Sequence, residues 1–436
     1  MIKLLKNKIF SIIYLILSIL ILSYVYYKSE IVFGGNRINI YIQYYIVSII
    51  LIIISSITFF FKKDLNRKFL LVISSTLITL YLIEGLLQGF SIYNQSQHFK
   101  KFKKKYKNIN IDTRSKLEVY KEEKTSENLS LVFNHKIYFD ENTKLFILGG
   151  KSNTKHLYCN EIGYYSYFYS DRFGFRNIDK IWDNNNLDIV IVGDSFGLNA
   201  CVNKENTIVE ILRKKNKKFK ILNLSWDGNG PLTNYAGFFE YIDDKNTKKL
   251  IWLFFPNDFE NLNAEKNNRI LKKYINKENF SQNLKLKQNN IDETIDNLIN
   301  ENFLKKSEKK RESIKLSAFI KLQKLRSFVS YKGKIEYDHN LLKDIFQKTK
   351  NLTEKKNIEM IVVYLPDFWE IKNNKKSEKQ KFLFSILNEL DLKYLNFFEI
   401  ISEIKNPLSV FPFESYGHYN EKGYELLANF IYESLY

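Results

Sequence analysis

The chain has 436 residues, room for a membrane region plus one large globular domain or two modest ones, and its formal net charge is +19. No arginine-rich stripe and no zinc or RNA-recognition signature accompanies that charge, and Lys, Asn and Ile are raised along the whole length while Pro, Trp and His are sparse. The composition therefore argues against a nucleic-acid partner and for a solvated basic surface.

Three long apolar segments occupy residues 1–92. Ile9–Tyr27, Ile38–Phe61 and Phe69–Phe90 each reach the roughly 20 residues that a membrane helix needs, so three transmembrane helices are expected in a lipid bilayer. The first is too long for a signal-peptide core, and Ser23-Tyr24-Val25-Tyr26-Tyr27 offers no small-x-small cleavage site. Lys3, Lys6 and Lys8 precede it, and Lys62, Lys63, Arg67 and Lys68 fill the second connection. The positive-inside bias then sets the amino terminus in the cytoplasm of a bacterial-type plasma membrane. Three crossings carry everything after about Ile92 to the extracytoplasmic side. The lysine run Lys100–Lys107 reads as a tether along anionic headgroups. Glu84, inside the third segment, is either a functional ionisable group or one that snorkels to the interface.

Residues 93–186 are polar and irregular, a stalk leading into an aromatic-rich preamble over Tyr158–Asn177. Those aromatics form core or platform, with carbohydrate stacking as the alternative. The two cysteines, Cys159 and Cys201, both fall in the exported part, where an oxidising compartment permits a disulfide; two unpaired buried thiols are the other reading. Neither has metal-ligand spacing.

From residue 187 short apolar runs alternate with helical stretches. Leu187–Val192, Phe219–Leu224, Lys249–Phe255, Ile358–Leu365 and Leu392–Phe398 suit strands buried on both faces. Ile208–Lys214, Tyr235–Ile242, Leu341–Lys355 and Ser377–Leu390 separate them as helices, which predicts a parallel sheet covered on both sides. Pro231, Pro256 and Pro366 fall at or just past strand ends, where a missing N–H costs the ladder nothing. Residues 260–334 interrupt the alternation. Ile314, Ala318, Leu322, Leu325 and Val329 recur there at helical spacing, so an inserted helical subdomain is expected over the strand edge, packed on the main domain or serving as a lid or docking helix.

Residues 189–201, IVIVGDSFGLNAC, read as a buried strand that ends in a sharp turn with Ser195 at its tip and a helix after it. The amino terminus of that helix would add positive potential beside developing negative charge. Gly228 follows the second strand and lets the main chain approach a ligand. Asn257 closes the third strand and can aim an amide at the same point, and His418 follows the last strand as a candidate general base.

Gly193-Asp194-Ser195, Gly228, Asn257-Asp258 and His418, in this order, resemble the four sequence blocks of the SGNH (GDSL-type) hydrolase superfamily across residues 187–436 less the insertion. The resemblance implies a flavodoxin-like three-layer α/β/α sandwich with a parallel sheet. It also implies Ser195 as nucleophile, His418 as base, and the Ser195 and Gly228 N–H groups with the Asn257 amide as oxyanion hole. No cofactor and no metal are implied. Two positions depart from the family pattern. Phe255 stands where the third block usually has glycine, and Ser415 and Tyr416 occupy the places where an Asp commonly precedes the His. Glu414 is the nearby carboxylate that a shifted loop would bring to His418.

The expected function is a membrane-anchored extracytoplasmic serine ester hydrolase acting on acyl groups of a cell-envelope glycan or lipid. An O-acyltransferase modifying an exported polysaccharide uses the same acyl-enzyme and would need a membrane partner to deliver its donor. A catalytically silent glycan-binding scaffold is the reading from a different class.

Overall fold

The computed structural model describes the chain except for residues 1, 33–37, 106–110, 125–127, 135–138, 141–144, 279, 301–317, 330–336 and 436. It divides into two compact units, Met1–Lys105 with Glu312–Lys332, and Tyr106–Arg311 with Gly333–Tyr436.

In the first unit the helix Ile2–Tyr26 runs on through a π-helical turn to Val32, followed by helices Ile38–Ile57 and Lys63–Lys105. Two of the three expected spans are long and apolar enough to cross a membrane, Ser11–Ile31 and Asp64–Phe90; the described apolar stretch between them, Tyr44–Phe60, is shorter. Polar contacts tie the helices: Ser18 Oγ lies 3.0 Å from Ser55 Oγ, and Asn66 Nδ2 donates to Ser11 Oγ at 2.9 Å. Glu84 does not snorkel. It is buried, and its carboxylate accepts Lys324 N–H at 3.0 Å and Leu325 N–H at 2.8 Å, at the start of the short helix Gln323–Val329. The expected insertion is thus divided between the units. The described residues of its second half belong with the amino-terminal helices, while Leu271, Tyr274, Leu284, Ile291 and Ile295 of its first half join the core of the second unit. Ile314 lies outside the described residues, as do Tyr106 and Lys107 at the end of the lysine run.

The second unit opens with a small sheet made from the preamble. Strands β1 (Leu129–Leu131), β2 (Lys155–Leu157) and β3 (Tyr167–Tyr169) pair in that order, β1 parallel to β2 and β2 antiparallel to β3. The preamble is no loose stalk: Val119, Tyr120, Leu131, Leu157 and Phe175 are buried in the same core as the main sheet.

That main sheet has five strands, β4 (Asn186–Val192), β5 (Ile221–Asn223), β6 (Asn246–Phe254), β7 (Glu359–Tyr364) and β8 (Lys393–Asn396). All pairings are parallel and the order across the sheet is β8-β7-β6-β4-β5, the flavodoxin-like arrangement. Side chains alternate between two buried layers. Val190, Val192, Leu250, Trp252 and Val362 face one, and Ile189, Ile191, Ile251, Leu253 and Ile361 face the other. Helices Pro231–Tyr241, His339–Lys355 and Glu378–Glu389 cover the first layer; Ile208–Lys215, Phe397–Glu403 and Glu421–Ser434 cover the second. Right-handed crossovers require this division, because the step from β4 to β5 runs the opposite way from the steps through β6, β7 and β8. Between β4 and β6 the direction reverses, and the carboxyl ends of those two strands flank the crevice where such sheets bind ligands.

The core carries the stability of this unit. Leu250→Ala, at a fully buried position of β6, is expected to lower the unfolding free energy by about 2–5 kcal/mol, measured as a shift of the urea midpoint of the full chain in detergent at unchanged slope.

Candidate active site

Ser195 stands at the first strand–turn junction, just past β4. The run after it makes a single turn, with Leu198 N–H donating to Asp194 O at 2.9 Å and Ala200 N–H to Ser195 O at 3.0 Å. Left-handed φ values of 61° at Asn199 and 62° at Cys201 then stop it. The expected helix therefore does not follow the serine directly: it begins at Ile208, capped by Thr207, so no helix amino terminus points at Ser195 from this segment. Arg176 of the preamble shapes the loop instead, donating to the carbonyls of Leu198, Asn199 and Val202 at 3.1, 2.9 and 2.8 Å.

The structure brings His418 to the serine. Ser195 Oγ and His418 Nε2 are 2.9 Å apart. The final helix fixes the loop that carries the imidazole: Asn420 caps Glu421–Ser434 by accepting Gly423 N–H at 3.1 Å, and buried Tyr419 donates its hydroxyl to Pro366 O at 2.7 Å. Phe196 fills the space beside the imidazole, its ring centroid 4.8 Å from that of His418 and 3.8 Å from that of Phe255 in a stacked pair. The aromatic at 255, where the family pattern has glycine, is thus a wall of this wedge.

The carboxylate on the imidazole is Glu161, which the sequence reading missed. Glu161 Oε1 lies 3.0 Å from His418 Nδ1, and Oε2 accepts the His418 backbone N–H at 2.7 Å. Glu414 is not at the site. It is exposed, with φ 54° after Phe413 at 52°, and it accepts Asn406 Nδ2 at 2.9 Å. Two successive left-handed residues turn that segment away from the imidazole. In the sequence Glu161 lies two residues past Cys159, and Cys201 lies six past Ser195. The structure joins those cysteines in a disulfide. Cys201 Sγ, a Glu161 carboxylate oxygen and a His418 ring nitrogen all fall within 4.8 Å of one another, and the bridged sulfur is no thiolate ligand for a metal.

Gly228 and Asn257 complete the constellation. Gly228 has φ +78°, and a Cβ there would collide with the Asn134 side chain, so the position admits only glycine. Preamble contacts hold its loop: Trp226 Nε1 donates to Phe133 O at 3.1 Å and Tyr158 Oη donates to Asp227 at 3.1 Å. Asn257 begins the helix Asp258–Glu265 and its side chain hydrogen-bonds the Asp194 carboxylate, leaving its buried Oδ1 with no hydrogen-bond partner.

Electrostatics poise the group. Burial alone depresses an imidazole, but the hydrogen bond and charge of Glu161, with the charges of Asp194 and Asp227, outweigh it, and His418 stands above its ordinary 6.5. Glu161 is held below the ordinary carboxylate value, because the bond and charge of His418 overcome the upward push of burial. Burial drives Asp194 up to about 6, against the lowering by Phe196 N–H, the His418 charge and the Asn257 amide. A hydroxyl, an imidazole and a carboxylate in this sequence of contacts can deprotonate the hydroxyl as it attacks an electrophile. The fold thus brings a serine hydroxyl, an imidazole and a carboxylate together beside the switch point of a flavodoxin-ordered sheet.

No family model and no curated protein matches the sequence. Among the solved structures similar to the chain are the following two. One is a protein of the G-D-S-L family from Desulfitobacterium hafniense DCB-2, at 12% identity and a TM-score of 0.30, with 57% of this chain and 99% of that one covered. The other is described as an acylhydrolase from Bacteroides fragilis NCTC 9343, at 11% identity and a TM-score of 0.29, with 58% and 86% covered.

The contact between Glu161 and His418 has a pH signature. Only neutral imidazole accepts a proton, so the acid limb of kcat/KM against a chromogenic acetate ester is expected above pH 6.5, the ordinary value of His418. The protonated pair contributes stability below the unfolded-state value, and that contribution is lost as pH rises through the raised folded one. Glu161→Gln removes the raising charge and leaves burial, so the limb moves to lower pH while the plateau falls by about 10²- to 10⁴-fold. Glu414→Gln leaves both unchanged.

Proposed function

We propose that this chain is a serine ester hydrolase of the SGNH (GDSL) type, anchored in a membrane by its amino-terminal helices and acting on acyl esters of a cell-envelope glycan or lipid. The observation that carries the reading is the 2.9 Å contact between Ser195 Oγ and His418 Nε2, with Glu161 behind the ring. Ser195 Oγ attacks the acyl carbonyl and its proton passes to His418 Nε2. Glu161 keeps Nδ1–H in place and stabilises the imidazolium. The Ser195 and Gly228 N–H groups and the Asn257 amide receive the oxyanion. His418 then returns the proton to the leaving alkoxide. In the second half, a water or a sugar hydroxyl gives its proton to His418 and attacks the acyl-enzyme, releasing Ser195.

The disulfide and the basic flanks of the apolar helices support an extracytoplasmic catalytic domain with a cytoplasmic amino terminus. A silent scaffold would suit a site with no acid beside its imidazole, and the contact of Glu161 with His418 speaks against that reading. Transfer to a sugar hydroxyl remains the second reading, since the acyl-enzyme serves both outcomes; it would require a donor-delivering membrane partner.

A fluorophosphonate probe is expected to label Ser195 in the detergent-solubilised chain, with labelling abolished in Ser195→Ala at unchanged circular dichroism. A folded wild type that takes no label at any pH would sink the hydrolase reading. Asn257→Ala is expected to lower kcat by about 10²- to 10³-fold with little change in KM. Incubation with acetylated and then unacetylated oligosaccharides, followed by mass spectrometry, separates acetate release from transfer.

A further inference from the structure

The acid of this site comes from outside the α/β framework. Glu161 sits at the tip of the hairpin between β2 and β3, whereas Ser195 and His418 follow β4 and β8. The hairpin closes on itself through Tyr158 N–H to Ser166 O at 2.9 Å and Ser166 N–H to Cys159 O at 3.0 Å. Side-chain ties reach its tip from elsewhere: Asn160 Nδ2 donates to Asp112 O at 2.8 Å, and Tyr164 Oη donates to Glu421 at 2.8 Å. The covalent tie is Cys159–Cys201. One sulfur is carried two residues before Glu161 and the other is on the left-handed turn that closes the Ser195 loop. The Cys201 sulfur lies within 4.8 Å of both the Glu161 carboxylate oxygen and the His418 ring nitrogen.

We propose that the Cys159–Cys201 disulfide is the positioning element of the acid: it holds Glu161 against His418, so that the Ser195, His418 and Glu161 set is complete only in the oxidised chain. This rests on the hydrolase reading above. Closing the bridge takes two electrons and two protons from the two thiols, which a disulfide oxidant accepts by exchange and leaves as a dithiol; a dithiol reductant reverses it. The cysteines are positioning residues, because neither touches the nucleophile or the reacting ester. Without the bridge only hydrogen bonds hold the hairpin tip, and a shift of about an ångström is enough for the carboxylate to lose its aim at Nδ1–H.

The test uses the full chain in detergent, with p-nitrophenyl acetate as substrate and fluorophosphonate labelling of Ser195 as a parallel readout. Cys159→Ser with Cys201→Ser is expected to lower kcat/KM by about 10- to 100-fold and to move the acid limb to lower pH, as Glu161→Gln does. In the Glu161→Gln background, removing the bridge is expected to change kcat/KM by less than about threefold, since the acid it positions is already gone. A merely structural bridge would instead leave the pH profile in place and multiply its loss onto that of Glu161→Gln, which would overturn the inference. Where the double variant fails to fold, wild type reduced with dithiothreitol decides, with two free thiols counted by mass spectrometry and circular dichroism unchanged. A reduced, folded enzyme with the oxidised pH profile overturns the inference alone. Oxidised wild type that takes no label overturns the hydrolase reading and this inference with it.

Discussion

A carboxylate donated across the molecule to an imidazole is the contact on which the site depends. Glu161 receives two hydrogen bonds from His418, one from the ring and one from the backbone. The pair fixes both the tautomer of the ring and the position of the loop that bears it. Each partner shifts the other: burial would make Glu161 a weaker acid and His418 a weaker base, and in each case the opposite charge reverses the tendency. The nitrogen facing Ser195 is thereby left as acceptor in the working state, at hydrogen-bond distance from the hydroxyl. Removing either member would leave a buried polar group whose partner is gone.

The preamble that delivers this carboxylate is folded into the same unit as the main sheet. Its short sheet supplies the hairpin that carries Glu161, its Arg176 holds the carbonyls of the Ser195 loop, and its Phe133 and Tyr158 anchor the loop of Gly228. Three of the four blocks thus lean on residues upstream of the α/β framework. The aromatic density of Tyr158–Asn177 is largely core: Tyr158, Phe168 and Phe175 are buried, while Tyr169 is exposed. Phe255 belongs to a second aromatic group, stacked on Phe196, that walls the imidazole and Tyr419 from the other side.

The segment after β6 divides between the two units. Its first half alternates apolar and polar residues densely enough to build helices on the common core, as Ile291 and Ile295 do. Its second half carries apolar residues at helical spacing as well, Leu322, Leu325 and Val329 among them. The described part of it returns to the amino-terminal helices, where backbone amides of Lys324 and Leu325 satisfy the buried Glu84 carboxylate. An ionisable side chain in an apolar helix is expensive, and this is a partner that makes it tolerable.

The run of five parallel strands, the strand edge that carries Ser195 and Asn257 and the glycine turn at 228 were legible in the sequence, because continuous apolar runs, proline placement and turn residues are local properties. So was the placing of Ser195 and Asn257 just past strand ends, whereas His418 lies in the loop before the final helix, well beyond the end of β8. The helix expected directly after Ser195 was not borne out, since Asn199 and Cys201 adopt left-handed conformations, to which Asn is prone and cysteine is not. The acid was not legible either. Local reasoning favoured Glu414, four residues from His418, but two left-handed residues turn it away, while Glu161, 257 residues distant in the chain, reaches the ring. Sequence alone determined the framework, because a buried parallel sheet writes its pattern into every strand. Tertiary structure decided which carboxylate completes the site, because that choice depends on a covalent bridge and a hairpin whose partners lie far apart along the chain.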